Sequence, residues 1–418
     1  MLSLQSLRKG RNLKCIFALV LALTMGLTSA SAKVVLTVKN TGKEQRHEVV
    51  AFDAKKVWQK LGVAEGTPIR VKDLYNLEVP SQLTHDNQLL VETNVIPGGV
   101  AKFNVVAGTP RKTTNYTDGK LYAWRVDDFT WENDKCSYRA YGPALQRTGE
   151  KAFGIDVWLK SAPYLDVERR YAVVFDGQKR ANVLEAAGHK AEADSIRGEV
   201  SLHLEHGTGL DCYNVGPSLG CGTPGVLIGD SIVFPYCFKE VRVLDNGPLR
   251  FVAEFVYNKT NIGNQNITEH RIISLDKGSY FNKMTVWYEG LVKPIDVVGG
   301  VVVHTDNPYD LKLESDFVAY TDPTDSPKKH NFEIYVAALF PGGADKTMLV
   351  KDSWHHKAGI VGNAVGVKRG LNNNEPFSYY FGAGWCESGI PNQRFWHENI
   401  RLFLDNLSKP LVADVVSE

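Results

Sequence analysis

The densest run of chemically capable side chains is His203-Leu204-Glu205-His206-Gly207-Thr208-Gly209-Leu210-Asp211-Cys212-Tyr213. Histidine and tyrosine move protons near neutral pH when their surroundings tune them. In a β-elimination, His203 would serve as base or acid and Tyr213 as its partner. In a glycoside hydrolysis, Glu205 and Asp211 are the first carboxylate pair to consider. His203, Glu205, His206 and Asp211 are also residue types that ligate a divalent metal. They do not form H-E-x-x-H, however, and a strand would send them to opposite faces, so no cofactor is expected. A histidine cluster is often only a polar surface loop. Here the glycine-rich run Gly216-Pro217-Ser218-Leu219-Gly220-Cys221-Gly222 follows directly, and glycines let a loop pass close to a ligand.

Other candidates come from alternation along strands. In residues 154–160, Ile155, Val157 and Leu159 share one face and Asp156, Trp158 and Lys160 the other. In 200–205, Val200, Leu202 and Leu204 point to the core and Ser201, His203 and Glu205 oppose them. In 267–275, Thr268, His270 and Ser274 oppose Glu269 and Arg271. Arg139 and Tyr141 share a face beyond the aromatic and acidic run 124–134. His304 ends an apolar strand, and Trp385 and Glu387 close a glycine-rich aromatic run. Aromatic planes stack on sugar rings and arginine pairs with carboxylates. The expected ligand-binding set is therefore Arg139, Tyr141, Asp156, Trp158, Lys160, His206, His270, Arg271, His304, Trp385 and Glu387, with Arg139 or Arg271 neutralising a uronate. Each aromatic has a plain packing alternative, which is preferred for Tyr379 and Phe381. Asp306, Asp310, Asp322 and Asp325 read as turn residues.

The elements that must hold these residues are mostly strands. Residues 34–38, 46–52, 69–71, 89–91 and 101–106 read as short strands around one helix, 54–61. They predict a small N-terminal β-sandwich over 33–110. A polar linker, 111–118, leads into a larger antiparallel β domain over 111–418, with strands at 249–257, 297–304, 332–340 and 377–381. A hairpin joins 267–275 to 280–289. Helix is expected only within 179–196 and 395–407.

Residues 1–32 read as a cleavable export signal, with basic Arg8, Lys9, Arg11 and Lys14, an apolar run and Ala30-Ser31-Ala32 at the cleavage positions. The expectation is a periplasmic or secreted protein cut after Ala32, with no membrane span in the mature chain, since the apolar run is shorter than the ~20 residues a span needs. Removing the four basic residues takes the formal net charge from +1 to −3, which offers nothing to nucleic acid. Export permits disulfides among Cys136, Cys212, Cys221, Cys237 and Cys386, yet a chain of this length needs no staples, and buried thiols are the preferred reading. There is no G-x-S-x-G elbow, P-loop or dinucleotide fingerprint.

Several segments together resemble a family of exported Bacteroidetes proteins classed as a domain of unknown function and found with polysaccharide-degrading enzymes. They are Trp131-Glu132-Asn133-Asp134, Tyr138-Arg139-Ala140-Tyr141-Gly142-Pro143, Gly154 to Lys160, Gly209 to Gly216 with His203, and Phe381-Gly382-Ala383-Gly384-Trp385. The hairpin around Arg271-Ile272-Ile273-Ser274-Leu275-Asp276-Lys277-Gly278-Ser279 resembles galactose-mutarotase-like β-supersandwich domains. That likeness implies a sugar ligand. The partner expected is an acidic oligosaccharide or polysaccharide. Elimination ranks first, hydrolysis second and non-catalytic glycan binding third.

Overall fold

A computed structural model of the chain describes residues 33–324, 333–352 and 355–418. Residues 1–32, read above as an export signal, and Asp325 lie outside the described residues. The chain is mainly β, with a small sandwich at its N-terminus and a large antiparallel sandwich after it.

The N-terminal unit has two sheets. One pairs Arg46–Asp53, Gln88–Val95 and Ser81–Leu83; the other pairs Val34–Lys39, Val100–Ala107 and Ile69–Lys72. Helix α1 (Ala54–Leu61) starts where Asp53 accepts the amides of Lys55 and Lys56, and ends at Gly62 with φ +67°, the left-handed stop that glycine tolerates best. Val57 and Trp58 go into the core beside Val34, Leu36 and Phe52. The expected boundary at residue 110 needs one correction. The last strand, Val412–Ser417, pairs antiparallel with Val34–Lys39 along its whole length, so the N-terminal sheet is completed by the C-terminus. A strand with an unpaired edge leaves backbone donors open, and the chain closes that edge with its own end.

The large unit faces a nine-stranded sheet with a five-stranded one. The first runs from Phe238–Asp245 through Arg250–Tyr257, Gln265–Asp276, Phe281–Glu289, Phe377–Trp385 and Ile334–Leu339 to Phe317–Asp322 and Leu311–Glu314, with Thr260–Ile262 at the side. The second is built on Cys221–Ile228, Ile295–His304 and Ile360–Leu371. Phe251, Met284, Tyr379 and Phe381 from one sheet meet Val297, Val301 and Ala364 from the other in a single core. The expected hairpin is present, with Thr268 opposite Glu289 and Ser274 opposite Lys283. Helix α5 (Gln393–Ser408) lays Trp396 and Ile400 on the outer side of the large sheet, against Phe317, Ala337 and Leu339. The sheet is therefore buried on both sides there.

A third sheet, Asp118–Tyr122, Asp128–Glu132, Ser137–Ala140 and Asp156–Trp158, carries most of the candidate site. Phe129, Trp131 and Tyr138 on one side stack among Phe251, Phe255 and Phe381. Helix α2 (Pro143–Arg147) follows it. Helices α3 (Val167–Ala186) and α4 (Lys190–Glu199) come next. They begin earlier and run longer than the sequence suggested. α3 covers the other side of the third sheet through Val167 and Tyr171, which pack on Tyr122 and Trp158. The strand expected over 200–205 is not formed. α4 ends at Glu199, and turns occupy 201–204. Alternating Val200, Leu202 and Leu204 imitate a strand, but they follow a helix end and contribute to a small pocket against α3.

Candidate functional site

The third sheet presents Arg139, which faces three carboxylates. Its Nη2 lies 2.5 Å from Asp156 Oδ2 and 2.9 Å from Asp211 Oδ2, and its Nη1 lies 3.8 Å from Asp128. Tyr141 and Trp158 set their rings against the guanidinium at 4.9 and 5.0 Å, and Tyr141 Oη accepts a further bond from it at 3.2 Å. The Tyr171 hydroxyl on α3 donates to Asp128. Asp156 also accepts from the Val157 amide and the Trp158 indole. Arg139, Tyr141, Asp156, Trp158 and Asp211 are thus five sequence candidates gathered into one knot.

The knot sets two cations, Arg139 and Arg125, the latter 3.9 Å from Asp128, against three carboxylates, and a proton would make up the difference. Burial pushes the Asp156 carboxyl up to about 8, with the Asp211 charge adding to it and Arg139 opposing. Burial also raises Asp128, again against Arg139. Burial beside Asp211 thus favours the protonated form of Asp156. The two Oδ2 atoms share one nitrogen at 2.5 and 2.9 Å, so at most the sum, 5.4 Å, separates them.

Tyr213 leads from this knot to a second group. His304 ends its strand with Nδ1 at 2.8 Å from Asp322 Oδ2, and its amide donates to Tyr320 Oη. The other Asp322 oxygen accepts from the Thr324 amide. Such a carboxylate fixes the ring's orientation and tautomer. The Tyr213 hydroxyl is buried without a hydrogen-bond partner, and its ring meets the His304 ring edge-on at 6.5 Å. Burial works to lower the His304 pKa, but the Asp322 charge and hydrogen bond, with help from the Asn214 backbone and Asp306, raise it above the ordinary histidine value. Burial, with the charges of Cys221 and Asp322, holds the Tyr213 phenol well above its usual range. Asp322, read from sequence as a turn residue, ends a buried strand and orients the imidazole. The missed signal was the alternation Val318, Tyr320, Asp322, which puts it on the core side.

The other candidates are placed elsewhere. His203 is exposed in a turn, its Nδ1 at 2.7 Å from the Asp211 carbonyl, so it sits outside the knot and Tyr213 faces His304 instead. Glu205 is exposed and bonds the Gly207 and Gly209 amides of its own loop. The expected Glu205–Asp211 pair is therefore not assembled; Asp156 takes that place beside Asp211. His206 bonds the Ser201 carbonyl at 3.0 Å. Lys160 is fully buried, tied to Glu132 and to the Asn133 carbonyl, while Glu132 accepts the amides of Asp166 and Val167 at the start of α3. That is a structural role. Arg271 pairs with Glu269 over the Tyr257 ring, inside the large sandwich. His270 stacks on Trp287 on the opposite side of that strand. Trp385 is buried in the core and Glu387 is exposed. No disulfide joins the five cysteines, and the described residues hold no group of three or more His, Cys, Asp or Glu arranged for a metal. No helix among them is long and apolar enough to cross a membrane.

The glycines bring this segment close to neighbouring backbone. Gly209 has φ +111°, and a Cβ there would lie 2.0 Å from the Leu159 carbonyl oxygen. The Leu159 amide in turn bonds the Leu210 carbonyl. Gly220, at φ +56°, passes equally close to the Ile155 carbonyl. These approaches seat Asp211 and Tyr213 against the third sheet.

With that geometry in hand, comparison with known proteins gives a family. The model of a domain of unknown function, DUF4861, matches residues 38–412. The chain belongs to that family. The DUF4861 region thus takes in both sandwiches, the Arg139 knot and the His304 group. A relative, uncharacterized protein P7 of Formosa agariphila, is 25% identical over 340 residues, covering 78% of each chain. Among solved structures, an alpha-mannosidase from Enterococcus faecalis V583 gives a TM-score of 0.49 at 10% identity, over 93% of this chain and 46% of that one. A glycosyl hydrolase family 38 protein from the same species gives 0.48 at 10% identity, over 92% and 47%. The chain spans about half the length of these two structures.

Proposed function

We propose that the chain is a carbohydrate-active protein, and that hydrolysis of a glycosidic bond suits its polar interior better than β-elimination. The carrying observation is the pair Asp156 and Asp211 on Arg139, with oxygens at most 5.4 Å apart and a proton held on Asp156 near neutrality. A protonated carboxyl can donate to a leaving oxygen while a neighbouring carboxylate acts on the anomeric carbon. Elimination from a uronate needs a cation available for the substrate carboxylate. Arg139 is occupied by three carboxylates and Arg271 by Glu269, which weighs against the acidic glycan first expected. A sugar ligand is supported by the resemblance to mutarotase-like domains. The pair lies under the 201–206 turns, where the Leu202 carbonyl takes the Asp211 amide, so substrate entry requires that cover to move aside.

A second reading has one specific observation behind it. The buried Tyr213 hydroxyl, which has no hydrogen-bond partner, sits beside the His304 imidazole, and a histidine with a tyrosine is the kind of pair that elimination uses. The test is to incubate purified mature protein with neutral and uronic-acid glycans, following new reducing ends and ultraviolet absorbance. Reducing ends without absorbance, lost by at least about 100-fold in Asp156→Asn and Asp211→Asn, would support hydrolysis. Absorbance that rises with reducing ends and disappears in Tyr213→Phe would overturn it in favour of elimination. Silence in both channels with glycan still bound would leave only the binding role.

A further inference from the structure

Residues 201–207 form a turn that bonds to itself. The Ser201 carbonyl takes the Leu204 amide at 3.2 Å and lies 3.0 Å from His206 Nε2. Ser201 Oγ takes the His203 amide, and Glu205 takes the amides of Gly207 and Gly209. Every residue from His203 to Gly207 is exposed, and the chain becomes buried at Thr208. There the Thr208 carbonyl takes the Ser161 amide and an Arg170 nitrogen, while its hydroxyl takes Arg169. Upstream, α4 ends at Glu199, and the Val200 and Ser201 amides still bond the Ile196 and Gly198 carbonyls. The turn thus hangs between a helix end and a clamped threonine. Gly207, at φ +88°, lies beside the clamp in a conformation that glycine takes freely.

Two bonds tie this turn to the backbone of Asp211. The Leu202 carbonyl takes the Asp211 amide at 2.9 Å, and His203 Nδ1 lies 2.7 Å from the Asp211 carbonyl. The Asp211 side chain beneath is 5% exposed. Leu202 and Leu204 meet Val173 and Val200 around an apolar gap of about 120 Å³. Side chains that line a gap forfeit contacts that a close-packed core makes, so the turn is loosely seated on α3. We propose that residues 201–207 are a lid over Asp211, swinging as a unit about Val200 and Gly207. Opening keeps the turn's own bonds and releases the two on Asp211; closing shuts water out from the carboxylate. The functional meaning of the lid rests on the reading of Asp211 as half of the reactive pair.

The test is amide hydrogen exchange of the intact protein, read residue by residue. The Asp211 amide is held by the lid, whereas the Leu159 amide is held by the Leu210 carbonyl beyond the clamp. Local opening should let Asp211 exchange at least about 100-fold faster than Leu159, at a rate that low urea leaves unchanged. Val173→Phe fills the gap and should slow Asp211 about tenfold; Leu204→Ser thins the seat and should speed it by a similar factor. Val173 is 42% and Leu204 47% exposed, so both variants should fold, and Leu159 should exchange alike in all three proteins. An Asp211 amide as slow as Leu159, one unmoved by both variants, or a Leu159 amide that shifts in step with it would each overturn the lid. No turnover is read, so that failure leaves the hydrolysis proposal untouched. Conversely, an Asp211→Asn protein that still cleaves glycan would remove the hydrolysis reading and leave the measured opening in place.

Discussion

Two buried arginines in this chain keep different company. Arg271 sits in the middle of the large sandwich with one carboxylate, Glu269, and an aromatic ring below it. Arg139 sits at the sandwich's flank with three carboxylates. Burying a charge is costly unless it is paired. The Arg271 pair meets that cost by matching charge for charge, and it has no surplus to titrate. The Arg139 knot is overdrawn in negative charge, and protonation of Asp156 relieves part of the excess. A balanced pair is a structural device; an unbalanced knot stores a proton in the neutral range, and this is what makes it the better candidate for chemistry.

The sharpest way to break the comparison is to remove the cations. Arg139→Met leaves three carboxylates without their shared partner, and a loss of about 3–5 kcal/mol or outright failure to fold is expected in urea melts. The double change Glu269→Leu with Arg271→Met removes both members of a balanced pair. It should cost no more than about 1–2 kcal/mol, while Arg271→Met alone costs about 3–5. If the double variant is as unstable as the single one, the pair is not self-contained and the contrast fails.

The pH dependence sharpens the same contrast. A carboxyl whose pKa is raised on folding binds its proton more tightly in the native state. Its contribution is complete below the unfolded value and is lost as pH rises through the folded value. For Asp156 that window runs from the ordinary aspartate range up to about 8. Stability should therefore fall as pH rises across it, and Asp156→Asn, a neutral mimic, should flatten the slope. An unchanged slope in thermal melts between about pH 5 and about pH 9 would remove the stored proton from the argument. The smallest effect is expected at Tyr213→Phe. Its hydroxyl has no partner to lose, so stability should move by less than about 0.5 kcal/mol, or rise. A loss above about 1 kcal/mol would reveal a hydrogen bond, through water, that the protein does need.

Much of the β framework could be read directly. Alternation placed Glu269 and Arg271 opposite His270 in the hairpin 267–275 with 280–289, as found, but did not decide which of the two faces would be buried. The helix over 54–61 was expected and is present, with Asp53 capping its start and Gly62 its end. The misreading at 200–205 has a local cause. Three alternating aliphatics look the same to a period-two pattern whether they line a strand or follow a helix end.

The sequence by itself determined that the chain folds as strands, where most of them lie, and that polar residues concentrate around 203–213. Only the tertiary structure decided which of those polar residues meet. Alternation says that Asp156 opposes Val157, but not that α3 will close over its side of the sheet and bury it. Nor does it say that Arg139 and Asp211, far apart in the chain, will come within 2.9 Å. A pKa, a carboxylate-held imidazole and an unpartnered phenol depend on distances and solvent exclusion. Those quantities exist only once the sheets, α3 and the glycine loop have packed together.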